Sequence, residues 1–305
     1  MQGIDIIGDI HGHAHELHRL LRAMDYSEQD GVYSHTERSV VFLGDFIDRG
    51  PDQLEVLRVV TAMTKAGHAR AIMGNHEYNA IGWATPDDQG GYLRSHDDTH
   101  HNQHKEFLRQ IGEGSQLHQA AISWFKSLPV LLDLEGLRAI HACWHLPSIL
   151  MLADCLDDNA CFTNAGFVAS HRKGSAFYEA VEVLLKGPEI ELPQGVYFFD
   201  KDGKKRTEAR IRWWNKDISN LKSAVIGIGS GSSDLIDKQI DFSQYHYHDE
   251  IPVFFGHYWL SGDPEIEAQN ALCLDYSVAK GGELVGYRWH PSEPLHKNRI
   301  VIQRP

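Results

Sequence analysis

Ile4-Asp5-Ile6-Ile7-Gly8-Asp9 begins a pattern that two later stretches repeat, Ser39-Val40-Val41-Phe42-Leu43-Gly44-Asp45 and Ala69-Arg70-Ala71-Ile72-Met73-Gly74-Asn75. Each is an apolar run of strand length, stopped by glycine and then by Asp or Asn. Between the first two, Leu17, Leu20, Leu21 and Met24 recur at the spacing of one helix face. Between the second and third, Leu54, Leu57 and Val60 do the same, and Gly67 predicts where that helix closes. The order β-α-β-α-β implies parallel strands joined by right-handed crossovers. Parallel strands carry their carboxyl ends to one edge, where open α/β sheets build their sites. The polar turns are therefore expected to meet in space.

Further runs at residues 137–140 and 251–255 lead into His141 and Gly256-His257. Strand-like pieces at 270–278, 283–289 and 299–303, separated by Gly and Pro turns, predict a second, more antiparallel sheet packed on the first. Residues 146–250 read less clearly: a helix is expected at 176–185 and a flexible loop at 227–233. With no repeat and no low-complexity linker, residues 1–305 are expected to form a single domain with an insertion or lid at about 146–250.

Composition narrows the classes of function. A net charge of -13 argues against broad nucleic-acid binding, which needs a basic surface, although a small cationic pocket can sit in an acidic protein. No apolar run approaches the ~20 residues of a membrane helix, so no membrane partner is expected. The opening Met1-Gln2-Gly3-Ile4-Asp5 lacks the basic and apolar segments of a secretory signal. Cys143, Cys155, Cys161 and Cys273 show no paired spacing, which fits reduced thiols in a cytoplasm. Many of the 20 histidines lie in polar stretches; His96, His100, His101 and His104 read as a solvated loop within an insertion rather than a metal site.

The donors at the strand ends carry the chemistry: Asp9 and His11, Asp45, Asn75, His141 and His257. Such a set of oxygen and nitrogen ligands suits two borderline divalent ions side by side, bridged by one carboxylate. Beside them stand Asp48, Arg49, His76 and Glu77. A His next to a ligand can protonate a leaving oxygen while an acid orients it, and an Arg can fork onto phosphate oxygens. Each piece alone has a plainer reading, as a turn, a helix N-cap or a hydrogen-bonded structural histidine. Their coincidence, each at the end of an apolar run, favours a site.

The blocks Gly8-Asp9-Ile10-His11-Gly12, Gly44-Asp45-Phe46-Ile47-Asp48-Arg49-Gly50-Pro51 and Gly74-Asn75-His76-Glu77 resemble the signatures of calcineurin-like metallophosphoesterases, in their phosphoprotein phosphatase branch. Phe125-Lys126-Ser127-Leu128-Pro129 through His141 resembles the approach to a fourth block, and the likeness spans residues 4–147 and 254–259. The resemblance implies an α/β fold, a four-layer αββα sandwich of two mixed sheets flanked by helices. It implies that Asp9 and His11 hold a first metal, that Asp45 bridges, and that Asn75, His141 and His257 hold a second. His76 would be the general acid paired with Asp48, and Arg49 would bind phosphate. The ions expected are manganese, with iron, zinc or magnesium as alternatives. Ala142 and Cys143 stand where the family has two glycines, which should alter the pocket floor but keep the ligand. Gly256-His257-Tyr258-Trp259 lacks the Gly-His-x-His of other branches. The family's second phosphate-binding Arg has three candidates, Arg172, Arg210 and Arg212. Trp213 and Trp214 read equally well as pocket wall or as core.

Three functions compete on this reading. One is hydrolysis of phosphate monoesters, as in protein phosphatases, by a hydroxide held between two metals. The second is hydrolysis of dinucleoside polyphosphates or other phosphorylated metabolites, with Trp213 or Tyr258 stacking a base. The third is a non-catalytic phospho-ligand binding module. The acid Asp48 within Gly-Asp-x-x-Asp-Arg-Gly tilts the sequence reading toward the monoesterase. The completeness of the donor set disfavours the binding module.

Overall fold

The computed structural model describes residues 3–199, 205–218, 220–226, 241–291 and 293–302. The repeated pattern folds as expected. Strand Gly3–Ile7 pairs in parallel with Arg38–Phe42, which pairs in parallel with Ala69–Ala71. The intervening helices are Ala14–Ala23 and Gln53–Lys65. In the second helix Val56, Leu57, Val59, Val60 and Met63 are buried, whereas Leu54 is 44% exposed, so its buried face is turned from the one the leucine spacing marks. A small hairpin, Ser27–Gln29 with Val32–Ser34, lies in the first crossover.

The C-terminal strands correct the expected layout. Asp275–Tyr276, Glu283–Trp289 and Ile300–Ile302 do not form a sheet of their own but extend the first one, Glu283–Trp289 lying antiparallel to Gly3–Ile7. Only Ala271–Cys273 joins the second sheet, whose order continues through Val253–Phe255 and Leu137–Ile140 to Leu131–Leu134. That sheet is mostly parallel: Val253–Phe255 runs parallel to both neighbours, and only the Leu131–Leu134 pairing is antiparallel. Its parallel neighbours are separated in sequence by long excursions, which permit parallel pairing, whereas a two-residue turn joins the antiparallel pair.

Alternation along the strands assigns the layers. Ile6, Val41 and Ile72 of the first sheet share one apolar cluster with Leu137, Ala139, Phe254 and Leu272 of the second, so this core lies between the sheets. Ile7, Val40 and Phe42, on the opposite face, pack with Leu17, Leu21, Val56 and Val60 of the helices. On the far side, Ile140 and Phe255 belong to a core with Val181, Leu184 and Leu185 from helix Ala176–Lys186. Helix, sheet, sheet, helix is the expected layering.

Residues 146–250 contribute that helix, the antiparallel pair Glu189–Glu191 with Glu208–Arg210, and two small apolar clusters. Trp213 and Trp214 are core residues, 0% and 2% exposed, and Trp213 Nε1 donates to the Ala142 carbonyl at 3.0 Å. Tyr258 is 3% exposed. Trp213, buried in this way, is not placed to stack a base. The loop expected at 227–233 lies outside the described residues. Among the described residues no helix is long and apolar enough to cross a membrane.

Candidate metal centre

The turns after the parallel strands converge on Asp45. Its Oδ2 lies 3.4 Å from His141 Nε2, 3.6 Å from His11 Nε2 and 3.9 Å from His76 Nε2. Asn75 Oδ1 sits between His141 Nε2 at 3.1 Å and His257 Nδ1 at 2.7 Å. Two overlapping groups, His11-Asp45-His76 and Asp45-His141-His257, each keep their ligand atoms within 4.8 Å of one another. Asp9 joins from the other side: its Oδ2 accepts from the His257 backbone N–H at 3.0 Å. Gly256 makes this possible, because a Cβ there would come within 1.9 Å of Asp9 Oδ1.

Backbone partners aim the histidines. His11 Nδ1 lies 3.0 Å from the Ile47 carbonyl and His141 Nδ1 2.8 Å from the Leu43 carbonyl. Donating there turns Nε2 toward the centre, the nitrogen whose lone pair a metal ligand needs. Glu77 locks two turns together, accepting from the backbone N–H groups of Asp45, Phe46 and Gly74 at 2.8, 2.8 and 3.0 Å. His11, Asp45, Asp48, Arg49, His257 and Trp259 all hold left-handed backbone, with φ between 48° and 73°. Left-handed conformation in non-glycine residues costs energy and clusters at functional sites.

The electrostatics ask for a cation. Asp9, His11, Asp45, His141 and His257 are all at most 5% exposed, yet Asp9 Oδ1, His11 Nε2 and His257 Nε2 have no hydrogen-bond partner. Buried polar atoms left unpaired are costly, and aligned donors of this kind fit divalent metal. Burial, and then Asp275 beside it, push the Asp9 carboxyl well above its usual range. Burial works against ionising Asp45 too, but His141, His76 and His11 hold it well below. The converse holds for His141: burial disfavours its charge, yet Asp45 lifts it to about 10. Burial and the neighbouring His76 lower His11 to about 3.

His76 and Asp48 meet as expected, with His76 Nδ1 at 2.5 Å from Asp48 Oδ2. Arg49 lies over the Trp259 ring at 4.1 Å, with Lys280 also over that ring at 3.9 Å. Ala142 and Cys143 are fully buried, and His141 keeps its place beside them. Of the candidates for a second phosphate-binding Arg, Arg210 lines the cleft, while Arg212 is engaged by Glu267 and Arg172 lies outside the lining.

The histidine cluster at 96–104 corrects the sequence reading. Residues Asp98–Ile111 form a helix capped by Asp97, which accepts from His100 N at 2.9 Å. His96 stacks between Trp83 at 3.7 Å and Tyr92 at 4.0 Å. His104 is buried, 5% exposed, with Nδ1 2.8 Å from Asp48 Oδ1. The residues from 105 onward carry the missed signal: Phe107, Leu108 and Ile111 give this helix its buried face. Asp275 was missed for a similar reason, being a polar residue inside a strand; it is buried and accepts from Trp259 N at 2.7 Å.

The centre opens into a cleft of about 600 Å³. Arg94, Lys173, Lys186, Arg206, Arg210 and Lys280 all line it, forming the cationic pocket that the acidic composition leaves room for. Carboxylates answer some of these charges, Glu182 pairing with Lys186, and Glu189 lying 3.4 Å from Arg206 and 3.5 Å from Arg210.

Comparison with known proteins agrees with this geometry. A family model described as calcineurin-like phosphoesterase matches residues 3–258. Over 74 residues the chain is 46% identical to the asymmetrical bis(5'-nucleosyl)-tetraphosphatase PrpE of Oceanobacillus iheyensis, a stretch covering 24% of this chain and only 30% of that relative's length. Over 307 residues it is 24% identical to the symmetrical bis(5'-nucleosyl)-tetraphosphatase of Pectobacterium atrosepticum, covering 93% of this chain and 90% of that one. A crystal structure named provisionally as a diadenosine tetraphosphatase aligns over 99% of this chain and 93% of its own, at a TM-score of 0.50 and 16% identity, a likeness of fold. The chain belongs to the calcineurin-like phosphoesterase family, which uses a binuclear divalent metal centre.

Proposed function

We propose that the chain is a metal-dependent phosphoesterase. The observation that carries this reading is the buried Asp45 carboxylate ringed by three imidazole Nε2 atoms at 3.4–3.9 Å, with unpartnered donors on either side. Asp9 and His11 would hold one divalent ion, Asn75, His141 and His257 the other, and Asp45 would bridge. Manganese is the first choice, and iron, zinc or magnesium suit the same donors. When bound, two such ions supply a nucleophile at neutral pH and neutralise charge on the transferring phosphoryl group. Arg49, braced by Trp259, binds the phosphoryl oxygens. His76, its Nδ1 held by Asp48, presents Nε2 to the leaving oxygen and gives it a proton as the P–O bond breaks. The incoming oxygen is water's, and water restores the His76 proton. Residues 146–250 belong to the same domain, and their described part, with helix Ala176–Lys186 and the strand pair around Glu189, supplies part of the cleft's outer wall.

For the substrate class we favour dinucleoside polyphosphates. The cationic wall offers more positive charge than one phosphate monoester needs, and both curated relatives carry tetraphosphatase names. The second reading, a monoesterase, draws on the His76–Asp48 pair and on the burial of Trp213, which removes it as a base clamp. Titrating manganese into metal-free protein and measuring kcat/KM for diadenosine tetraphosphate, 4-nitrophenyl phosphate and a phosphopeptide separates them. Activity should rise to saturation at two ions per chain, and diadenosine tetraphosphate should lead by at least about tenfold, the worth of one charge-assisted hydrogen bond. A phosphopeptide in the lead establishes the monoesterase; no metal-dependent turnover of any of the three removes the enzyme reading.

A further inference from the structure

We propose that His104 is a positioning residue for the leaving-group step, holding Asp48 so that Asp48 in turn fixes the His76 ring. This rests on the reading of His76 as proton donor. A carboxylate with a single hydrogen-bonded partner is free to turn about its last side-chain bond, and the imidazole it holds turns with it. Asp48 is not free in this way. Its Oδ2 takes His76 Nδ1 at 2.5 Å and its Oδ1 takes His104 Nδ1 at 2.8 Å, so an imidazole sits on each oxygen. Its backbone N–H is also tied, donating to Gln53 Oε1 at 2.7 Å, and Gln53 Nε2 donates back to Gly50 O at 2.8 Å. The turn, the carboxylate and the ring are thus held at three points.

His104 is well built for holding. It sits on a 14-residue helix with a capped N-terminus, and its ring stacks on Phe107 at 4.9 Å. Its neighbours on the buried face, Phe107, Leu108 and Ile111, anchor the helix in the core, and Gln110 of the same helix accepts from the Gln53 backbone N–H at 2.9 Å. One helix therefore braces both Asp48 and the residue that holds its backbone. Burial would favour a protonated Asp48, but His104 and then His76 keep the carboxyl well below its usual range, as an acceptor on both oxygens.

The test uses the full chain loaded with manganese and two aryl esters, phenyl phosphate with a poor leaving group and 4-nitrophenyl phosphate with a good one. H104F keeps the stack on Phe107 and removes the donor. It should lower kcat on phenyl phosphate by about 10- to 100-fold, the usual effect of losing an orienting partner, and lower it less on 4-nitrophenyl phosphate, with KM and metal content unchanged. H104N, whose amide N–H takes the place of Nδ1, should recover most of the loss. In a D48N background, H104F should cost nothing more. Equal losses on both esters, full additivity with D48N, or no recovery by H104N overturns the proposal. H76N separates the two readings: if it shows no dependence on the leaving group, the proton-donor reading fails and this one with it. If H76N shows that dependence and H104F does not, this proposal fails alone. Should H104F not fold, nitrogen NMR of the wild-type imidazoles decides, because His104 must carry a proton on Nδ1, and an Nδ1 without a proton refutes the arrangement.

Discussion

The floor of the cleft and its wall are built by different rules. The floor is the edge of two sheets, where His11, Asp45, Asn75, His141 and His257 lie within a few residues of strand ends, His11 and His141 aimed by backbone carbonyls and His257 by the Asn75 side chain. The wall comes from helix Asp98–Ile111, helix Ala176–Lys186, the strand pair around Glu189 and the loops near them, and it presents long, separately anchored cations. A strand end places an atom to within the tolerance of metal coordination; a long Arg or Lys side chain covers an area. The floor is thus suited to fix what reaction is possible, and the wall to select what is brought to it.

That division can be broken by substitution. The largest effect is expected at Asp45. D45N removes charge from the atom nearest three imidazoles, and it should release at least one ion and cut turnover on every substrate by roughly 10³-fold or more, given the several kcal/mol such metals supply. Metal analysis and kinetics on the same sample check it; activity lost with both ions retained would take Asp45 out of the bridging position. Next comes H76N, which should cost roughly 10²–10⁴-fold in kcat, as losing a general acid does, while both ions stay. Because His76 also lies within one of the two candidate ligand groups, loss of an ion in H76N would make it a ligand instead. The smallest effect is expected in the wall. R210A should raise KM for diadenosine tetraphosphate by roughly tenfold, one charge-assisted contact, and barely move 4-nitrophenyl phosphate. Equal effects on both would place Arg210 functionally in the floor.

The same division explains what the sequence revealed. The floor was legible because each ligand follows an apolar run, closed by a glycine in every case but His141, so strand geometry converts spacing along the chain into nearness in space. Even there, Asp275 and the returning bonds of Glu77 went unread, since no local pattern announces which backbone a buried carboxylate will meet. Pairing of the C-terminal strands was misread for a related reason. Alternation identifies a strand, but the choice of sheet is made by long-range packing, here by Glu283–Trp289 lying against Gly3–Ile7. The histidines at 96–104 misled because polar composition outweighed the weaker periodicity of Phe107, Leu108 and Ile111. Arg94 was invisible as a cleft residue, being set there by a turn and by bonds to Asn79 and Gln103.

The left-handed backbone at His11, Asp45, Asp48, Arg49 and His257 has a consequence for how this sequence responds to selection. At each of these positions glycine would relieve a conformational penalty of order 1 kcal/mol or more. A library screened only for heat resistance would therefore be drawn toward the residues proposed to bind metal and phosphate, and its winners would be inert. Thermal hardening of this protein has to be sought elsewhere, in the wall and the outer helices, and screened with turnover as a second criterion.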